Sequence, residues 1–438
     1  MSTTDAINDV NSERSSAILP TVFFLSPLLT AAIPKLTWLF LILVPAALIG
    51  RAFRRSEDWR GLIRPDTTLT IFVLVALYVA INATWAAATG PALEKAGLLL
   101  GVIVITFAAN NAISRLDERH LHQAAVAFAA GAFFGAVLIL FELLTGGAIS
   151  RTAINLLPLA HSHKHMIFAE DEVTRLQLNY LNRNVAILGL YFWPALLIMR
   201  TFRDATWRWV VSCLFLLSAT ASIFISEHQS SQVGLICSLI VFILTSRWPK
   251  VTINGIAAVW CLAFVLALPA ALLAYKADLN TARWLPVSFR DRIAIWDDTA
   301  ERALKDPWFG IGARSTRVLM NEPIFDEPTN SVRLKSAGWH AHDLFLQTWY
   351  ELGVVGVILI AIAGAAVVLR TSVLSTEAQP VAAAAYTFFM AIAAFAWDMW
   401  QTWLVCAMAL TLLYLGIAAM NVDAAKQTLN GLSLRNWF

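Results

Sequence analysis

The stretch "GWHAHDLFLQTWYELGVVG", Gly338 to Gly356, concentrates groups that can move protons. His340 and His342 stand one residue apart, Asp343 follows, and Glu351 lies further on. Imidazole is the side chain best matched to proton transfer near neutral pH, so His342, with His340 beside it, is a candidate general base. The plainer reading is a pair of interfacial histidines at a helix entrance. A metal reading also exists, because H-x-H can supply two ligands, but no third is set by spacing. Asp343 suits the N-cap of the helix that follows. At roughly 5.4 Å per turn, Glu351 lies two to three turns inside from His342. There it needs a polar partner on a neighbouring span, and Gly353 and Gly356 permit close helix approach.

A second group is cationic. Arg183 lies in "NYLNRNVAILGLYFWP" among Asn179, Asn182 and Asn184, and Arg290 and Arg292 lie in "SFRDRIAIW". The planar guanidinium fork suits phosphate oxygens, so these arginines could hold a lipid diphosphate. Headgroup anchoring, or an ion pair of Arg292 with Asp291 or Asp297, is the alternative. "HSHKH", His161 to His165, and "AEDE", Ala169 to Glu172, have no defined ligand geometry. Asp398 stands among Trp397, Trp400 and Trp403 in "AFAWDMWQTWLV". There is no P-loop, GxGxxG, HExxH or GxSxG in the required context. An ATP-driven pump is therefore not expected from this chain, nor is a nucleic-acid partner or a cofactor.

The elements that carry these groups are membrane spans. Of 438 residues, 58% are hydrophobic and 14% charged, whereas soluble domains carry about 25% charged residues. Apolar runs predict twelve spans: 17–34, 36–50, 67–88, 95–113, 123–145, 179–199, 207–226, 232–246, 251–274, 344–369, 380–396 and 402–420. "RAFRRSEDWRGLIRP" holds five arginines, and Arg115, Arg119, Arg200, Arg203, Arg208, Arg247 and Lys250 fall in loops of the same parity. The other short loops hold little beyond Lys35 and Lys95. The basic side is expected to be cytoplasmic, with both termini. Two long loops then face outward, 146–178 and the larger 275–343. In the latter, Ile293, Trp296, Ala300 and Leu304 predict a helix ended by "DPWFGIGARS". The cysteines, Cys213, Cys237, Cys261 and Cys406, fall within spans, so no disulfide framework is expected. The N-terminus lacks the basic region of a cleavable signal peptide, so the first span is expected to be retained.

The motifs resemble the O-antigen ligase and polymerase family. "RIAIWDDTAERALKDPWFGIGARS" looks like its R-x-x-x-W, P-x-x-G-x-G pattern. "HAHDLFLQTWYELGVVG" looks like its H-x-H-N, L-Q and E-L-G-x-x-G, and "LNRNVAILGLYFWP" resembles its N-R segment. The match is best over spans six to twelve. The resemblance implies an all-α, GT-C-type integral membrane glycosyltransferase of about 12 transmembrane helices, formed as one polytopic unit over 1–438. It implies a metal-independent enzyme of the bacterial inner membrane that takes a glycan from undecaprenyl diphosphate on the periplasmic face. The acceptor would be lipid A core, or another glycan for a polymerase. By motif, Arg183 and Arg292 would bind the diphosphate, with Arg290 nearby, and His342 would be the base beside His340. Asp343 replaces the family's usual asparagine and could raise the His342 pKa. A transporter or flippase is the rival class, expected to carry repeated broken spans with midplane charges.

Overall fold

In the computed structural model, residues 3–55, 60–63, 66–156, 166–169, 172–319, 340–396 and 398–430 are described. "HSHKH", Glu170, Asp171, Trp339 and Trp397 lie outside them. The helices are α1 Thr3–Ala32, α2 Thr37–Arg55, α3 Thr67–Asn82, α4 Thr89–Ile113, α5 Glu118–Leu144 and α6 Ala148–Leu156. There follow α7 Asn182–Met199, α8 Ala205–Ile225, α9 Gln229–Arg247, α10 Pro249–Lys276, α11 Val287–Ala303, α12 Ser315–Leu319, α13 Leu344–Arg370, α14 Ala378–Phe395 and α15 Thr402–Asn430. A short antiparallel hairpin, β1 Met166–Ala169 and β2 Glu172–Leu176, sits between α6 and α7. The protein is an all-α integral membrane protein.

Among the described residues eleven helices are long and apolar enough to cross a membrane, against twelve expected. The difference is the first span. Its apolar part, Ala17–Ala32, is the second half of α1, whose first half holds Asp5, Asp9, Glu13 and Arg14. It still packs as a bundle member. A Cβ at Gly131 of α5 would sit 2.1 Å from the Phe24 carbonyl oxygen, so glycine there is what lets α1 and α5 approach so closely. The main core joins α1, α2, α4, α5, α7, α8, α9, α14 and α15, and α7 is the most deeply buried of the spans. A second core joins α10, α11, α13 and α14.

Side-chain links define the two ends of the bundle. At one end Arg370 pairs with Asp66, Asn111 donates to the Leu62 carbonyl at 2.9 Å, and Arg51 lies 3.9 Å from Asp117. At the other, Asn184 donates to the carbonyls of Ala31 and Ala32 at 2.8 and 2.7 Å, and Lys95 donates to Thr402 at 3.1 Å. This second end also carries the α10–α13 connection, and every candidate site residue that is described lies toward it.

The expected helix in that connection is α11. Ile293, Trp296 and Ala300 are buried at helical spacing as expected, but Ala303 takes the fourth place, since Leu304 is the C-cap and is exposed. Trp296 packs edge-on to Phe289 and donates to the Ala341 carbonyl at 2.9 Å. The helix is therefore pinned to the backbone between the two histidines.

Candidate active site

The site is built around an abrupt entry into α13. Asp343 is the N-cap, its Oδ1 accepting the N–H groups of Phe345 at 2.7 Å and Leu346 at 3.0 Å. His342, just before it, holds a left-handed backbone, φ 52°. That conformation is costly for most side chains, though histidine tolerates it better than β-branched residues do. It turns the two imidazoles together, with ring centroids 3.9 Å apart.

The hydrogen bonds assign both tautomers. The His342 N–H donates to His340 Nδ1 at 3.2 Å, so the proton of a neutral His340 sits on Nε2. His342 Nδ1 lies 3.1 Å from the Ala396 carbonyl oxygen, which only accepts, so Nδ1 carries the proton. The lone pair of a neutral His342 is therefore on Nε2, the atom that can receive a proton.

Burial pushes His342 down to about 4, aided by the neighbouring His340 and by Arg292, against upward pulls from the Ala396 carbonyl and Asp398. Burial likewise takes His340 to about 4, with Arg317 and Arg292 adding to the effect. The carboxylate that raises His342 is thus Asp398, which reaches it through the tertiary fold, and not its chain neighbour Asp343. Asp343 itself is pushed up to about 7 by burial, opposed by its two backbone donors.

Both imidazoles are consequently neutral at pH 7. Their folded values lie below the unfolded value near 6.5, so the unfolded state binds more protons between about 4 and 6.5. The associated stability is fully present above 6.5 and is lost as the pH falls toward 4. If His342 is the base, the acid limb of kcat/KM should fall near pH 4, and the rate should be flat from about 5 to 7. A pH–rate series with purified protein checks this. A limb at 6.5 would mean a solvated histidine or another group.

Trp296 also accounts for the placement of Arg292. The two are four residues apart on α11, hence on one helix face. Pinning Trp296 to Ala341 brings Arg292 beside the imidazoles, where it acts electrostatically on His340, His342 and the buried His228. Burial holds the Arg292 guanidinium below the usual arginine range. Arg290 has a buried Nε with no hydrogen-bond partner among the described residues.

A cavity of about 470 Å³ opens at the same end of the bundle. It is lined by Lys35, Lys95, Arg183, Arg314 and Arg317, by Asp398, and by Trp38, Trp400 and Trp403. Arg183 is thus among the cavity cations, while Arg292 stands by the histidines. Arg317 and Asp398 line the cavity and also act on the imidazoles, so the two groups form one neighbourhood. Spacing along the chain does not join Lys35, Lys95, Arg314 or Arg317 to the site. One signal was available, since Lys35 and Lys95 were the exceptions to the asymmetry of the basic loops.

Glu351 holds this neighbourhood together. Its carboxylate is fully buried and accepts the backbone N–H groups of Arg314 at 2.8 Å and Thr316 at 3.2 Å, and the indole N–H of Trp400. Gln347, one turn earlier, donates to Asp398 at 2.9 Å and accepts the Met399 N–H at 3.3 Å. The glycine motifs meet at the same place. Helix α13 breaks at Gly353, φ 63° and ψ −168°, and the segment Pro307–Gly312 fills the gap. Ile311 and Gly312 donate to the carbonyls of Tyr350 and Glu351, both at 3.0 Å, and Val354 donates to the Pro307 carbonyl at 2.8 Å. Tyr78 of α3 donates to the Leu352 carbonyl at 2.6 Å. The backbone groups freed by the break are satisfied by protein, which is what allows a broken helix at membrane depth.

Fold and site define a helical membrane protein with a cationic, tryptophan-lined cavity next to a neutral histidine pair. The resemblance drawn from the motifs holds: the O-antigen ligase family model matches residues 186–361. A protein of Rickettsia conorii (strain ATCC VR-613 / Malish 7), provisionally named a polysaccharide ligase, is 23% identical over 235 residues. That alignment covers 52% of this chain and 56% of the relative, so the chain spans little over half the relative's length.

Proposed function

We propose that this protein is a glycosyltransferase that moves a glycan from undecaprenyl diphosphate to a sugar hydroxyl at the periplasmic face of the bacterial inner membrane. The acceptor we favour is lipid A core. The observation that carries the reading is the cationic cavity whose Arg317 and Asp398 also act on the histidine pair. The family match and the provisional name of the relative support the same class of chemistry. The distribution of basic loops supports cytoplasmic termini and a periplasmic cavity.

In the proposed reaction the acceptor O–H gives its proton to His342 Nε2 as its oxygen attacks the anomeric carbon. The bond from that carbon to the phosphate oxygen breaks, and undecaprenyl diphosphate leaves. Negative charge grows on the departing diphosphate, so fixed guanidinium groups stabilise the transition state more than the ground state. Arg183 in the cavity and Arg292 beside the histidines are the arginines proposed for this, with Arg290 adding positive potential. Asp343 and Glu351 support the site structurally. A donor that carries its own leaving group explains why no nucleotide site is needed, and the positive charge is supplied by side chains, so the reaction is proposed to be metal-independent.

The test is transfer in proteoliposomes from undecaprenyl-diphosphate glycan, offered lipid A core or a second repeat unit. A core-linked product supports ligation, and lengthening of the repeat would identify a polymerase of the same family. Arg183→Ala and Arg292→Ala are each expected to raise the KM for donor about tenfold or more, in line with roughly 1.5–3 kcal/mol for a hydrogen bond to a charged group. Unchanged donor affinity removes that arginine from the diphosphate site. Chelator is expected to leave transfer intact, and loss of activity would restore a metal.

A further inference from the structure

The cavity cations are not equivalent. Lys95 already donates to Thr402 at 3.1 Å and lies 3.4 Å from Glu94. Arg183, Arg317 and Lys35 are exposed side chains. Arg314 differs in its backbone. It holds φ 59°, in the left-handed region that a side-chain-bearing residue rarely adopts, and sits two residues after Gly312 at φ 99°. Conformations of this kind persist only where the surroundings over-determine them, and they cluster at ligand sites.

The surroundings do so here. Glu351 accepts the Arg314 N–H at 2.8 Å and the Thr316 N–H at 3.2 Å. Asn82 of α3 accepts the Ala313 N–H at 2.5 Å, and Ser315 Oγ accepts the Ala87 N–H at 2.9 Å. Gly312 cannot be exchanged, because a Cβ there would sit 2.3 Å from Ala86 Cα. The N–H groups of 313, 314 and 316 are thus used within the protein, so they do not form an anion-binding backbone concavity. What the segment offers the cavity is the Arg314 guanidinium, on a backbone clamped from α3 and α13. The same carboxylate that clamps Arg314 also takes the indole N–H of Trp400, a second cavity wall.

We infer that Arg314 is a binding residue for the diphosphate of a polyisoprenyl-diphosphate donor, and that Glu351 is the positioning residue that presents Arg314 and Trp400 to it. The inference rests on the proposed donor class. A preorganised guanidinium needs no rearrangement when the phosphates arrive, which is the condition under which such a group contributes most.

The experiment is equilibrium binding of undecaprenyl diphosphate, without sugar, to the full chain in detergent, with undecaprenyl monophosphate and inorganic diphosphate as parallel probes. Wild type is expected to bind the lipid diphosphate best. If it binds none of the three, the donor reading itself fails. Given wild-type binding, Arg314→Ala is expected to weaken it at least tenfold, with Arg314→Lys intermediate because it keeps the charge and loses the fork. Unchanged binding by Arg314→Ala overturns the inference while leaving the donor reading standing. Glu351→Gln, checked for an unaltered melting temperature, is expected to weaken binding about threefold to tenfold. Its effect should shrink in the Arg314→Ala background to the part that acts through Trp400, because the rest is exerted through Arg314. If the Glu351→Gln effect is undiminished there, Glu351 is not acting through Arg314.

Discussion

Alanine at position 342 is expected to lower glycan transfer by roughly 10²–10⁴-fold, the usual contribution of a positioned general base. Donor binding should change little. The expectation follows from the one histidine nitrogen at the site that is both basic and unclaimed. His342 Nδ1 is committed to the Ala396 carbonyl at 3.1 Å, which leaves the Nε2 lone pair for the acceptor hydroxyl. His340 is oriented differently, because its Nδ1 accepts the His342 N–H. His340→Ala should therefore cost less, about tenfold, by loosening the turn that aims His342. The measurement is kcat with saturating donor in proteoliposomes. Full transfer by the His342→Ala protein would remove the base from the mechanism. A bound diphosphate would also raise the His342 pKa, so the acid limb of kcat should lie at higher pH than that of kcat/KM.

The largest effect on stability is expected at Gly353. Its backbone, φ 63° with ψ −168°, belongs to a region open essentially to glycine. A Cβ there would meet the carbonyl carbon and oxygen of Trp308, each at 2.5 Å. Both neighbours are backbone, so neither can swing aside as the end of a side chain could. Backbone strain costs about 1–3 kcal/mol, and overpacking adds about 1–3 kcal/mol. Gly353→Ala should accordingly lose roughly 2–6 kcal/mol, read as a lowered melting temperature of the detergent-purified protein. It should also lose transfer, because the segment that packs into the break, Pro307–Gly312, leads directly to Arg314. Gly97→Ala is the control, since a Cβ there meets nothing within 4 Å. It should be neutral or gain about 0.5–1 kcal/mol from helix propensity. Equal melting of the two variants would show that the packing at Gly353 is loose.

Much of the architecture is legible in the chain because a membrane leaves few alternatives. A helix is the structure by which a single segment satisfies its own backbone in hydrocarbon, so hydropathy and loop charge locate the spans to within a few residues. The first span was the hardest to place, because its apolar run is short and continues a polar helix. The types of the candidate site residues were legible too, since a histidine pair and arginines near a span entrance ask for a reason. The tryptophan spacing that carries Arg292 was visible as a helical face on α11.

By itself, then, the sequence determined a helical membrane protein and named the candidate site residues, which the fold gathers toward one end of the bundle. Only the tertiary structure decided the partners. Asp398, and not Asp343, is the carboxylate that acts on His342, because the turn before α15 folds back over α13 while Asp343 is spent on its cap. Lys35, Lys95, Arg183, Arg314 and Arg317 come from four separated segments and share one cavity. Gly310 and Gly353 are explained by one interlocked backbone contact, and Gly312 by its approach to Ala86, neither of which any periodicity reveals. The physical reason is the same in each case. Hydrophobicity and helix geometry act on near neighbours in the chain, whereas charge, hydrogen bonding and close packing act on neighbours in space.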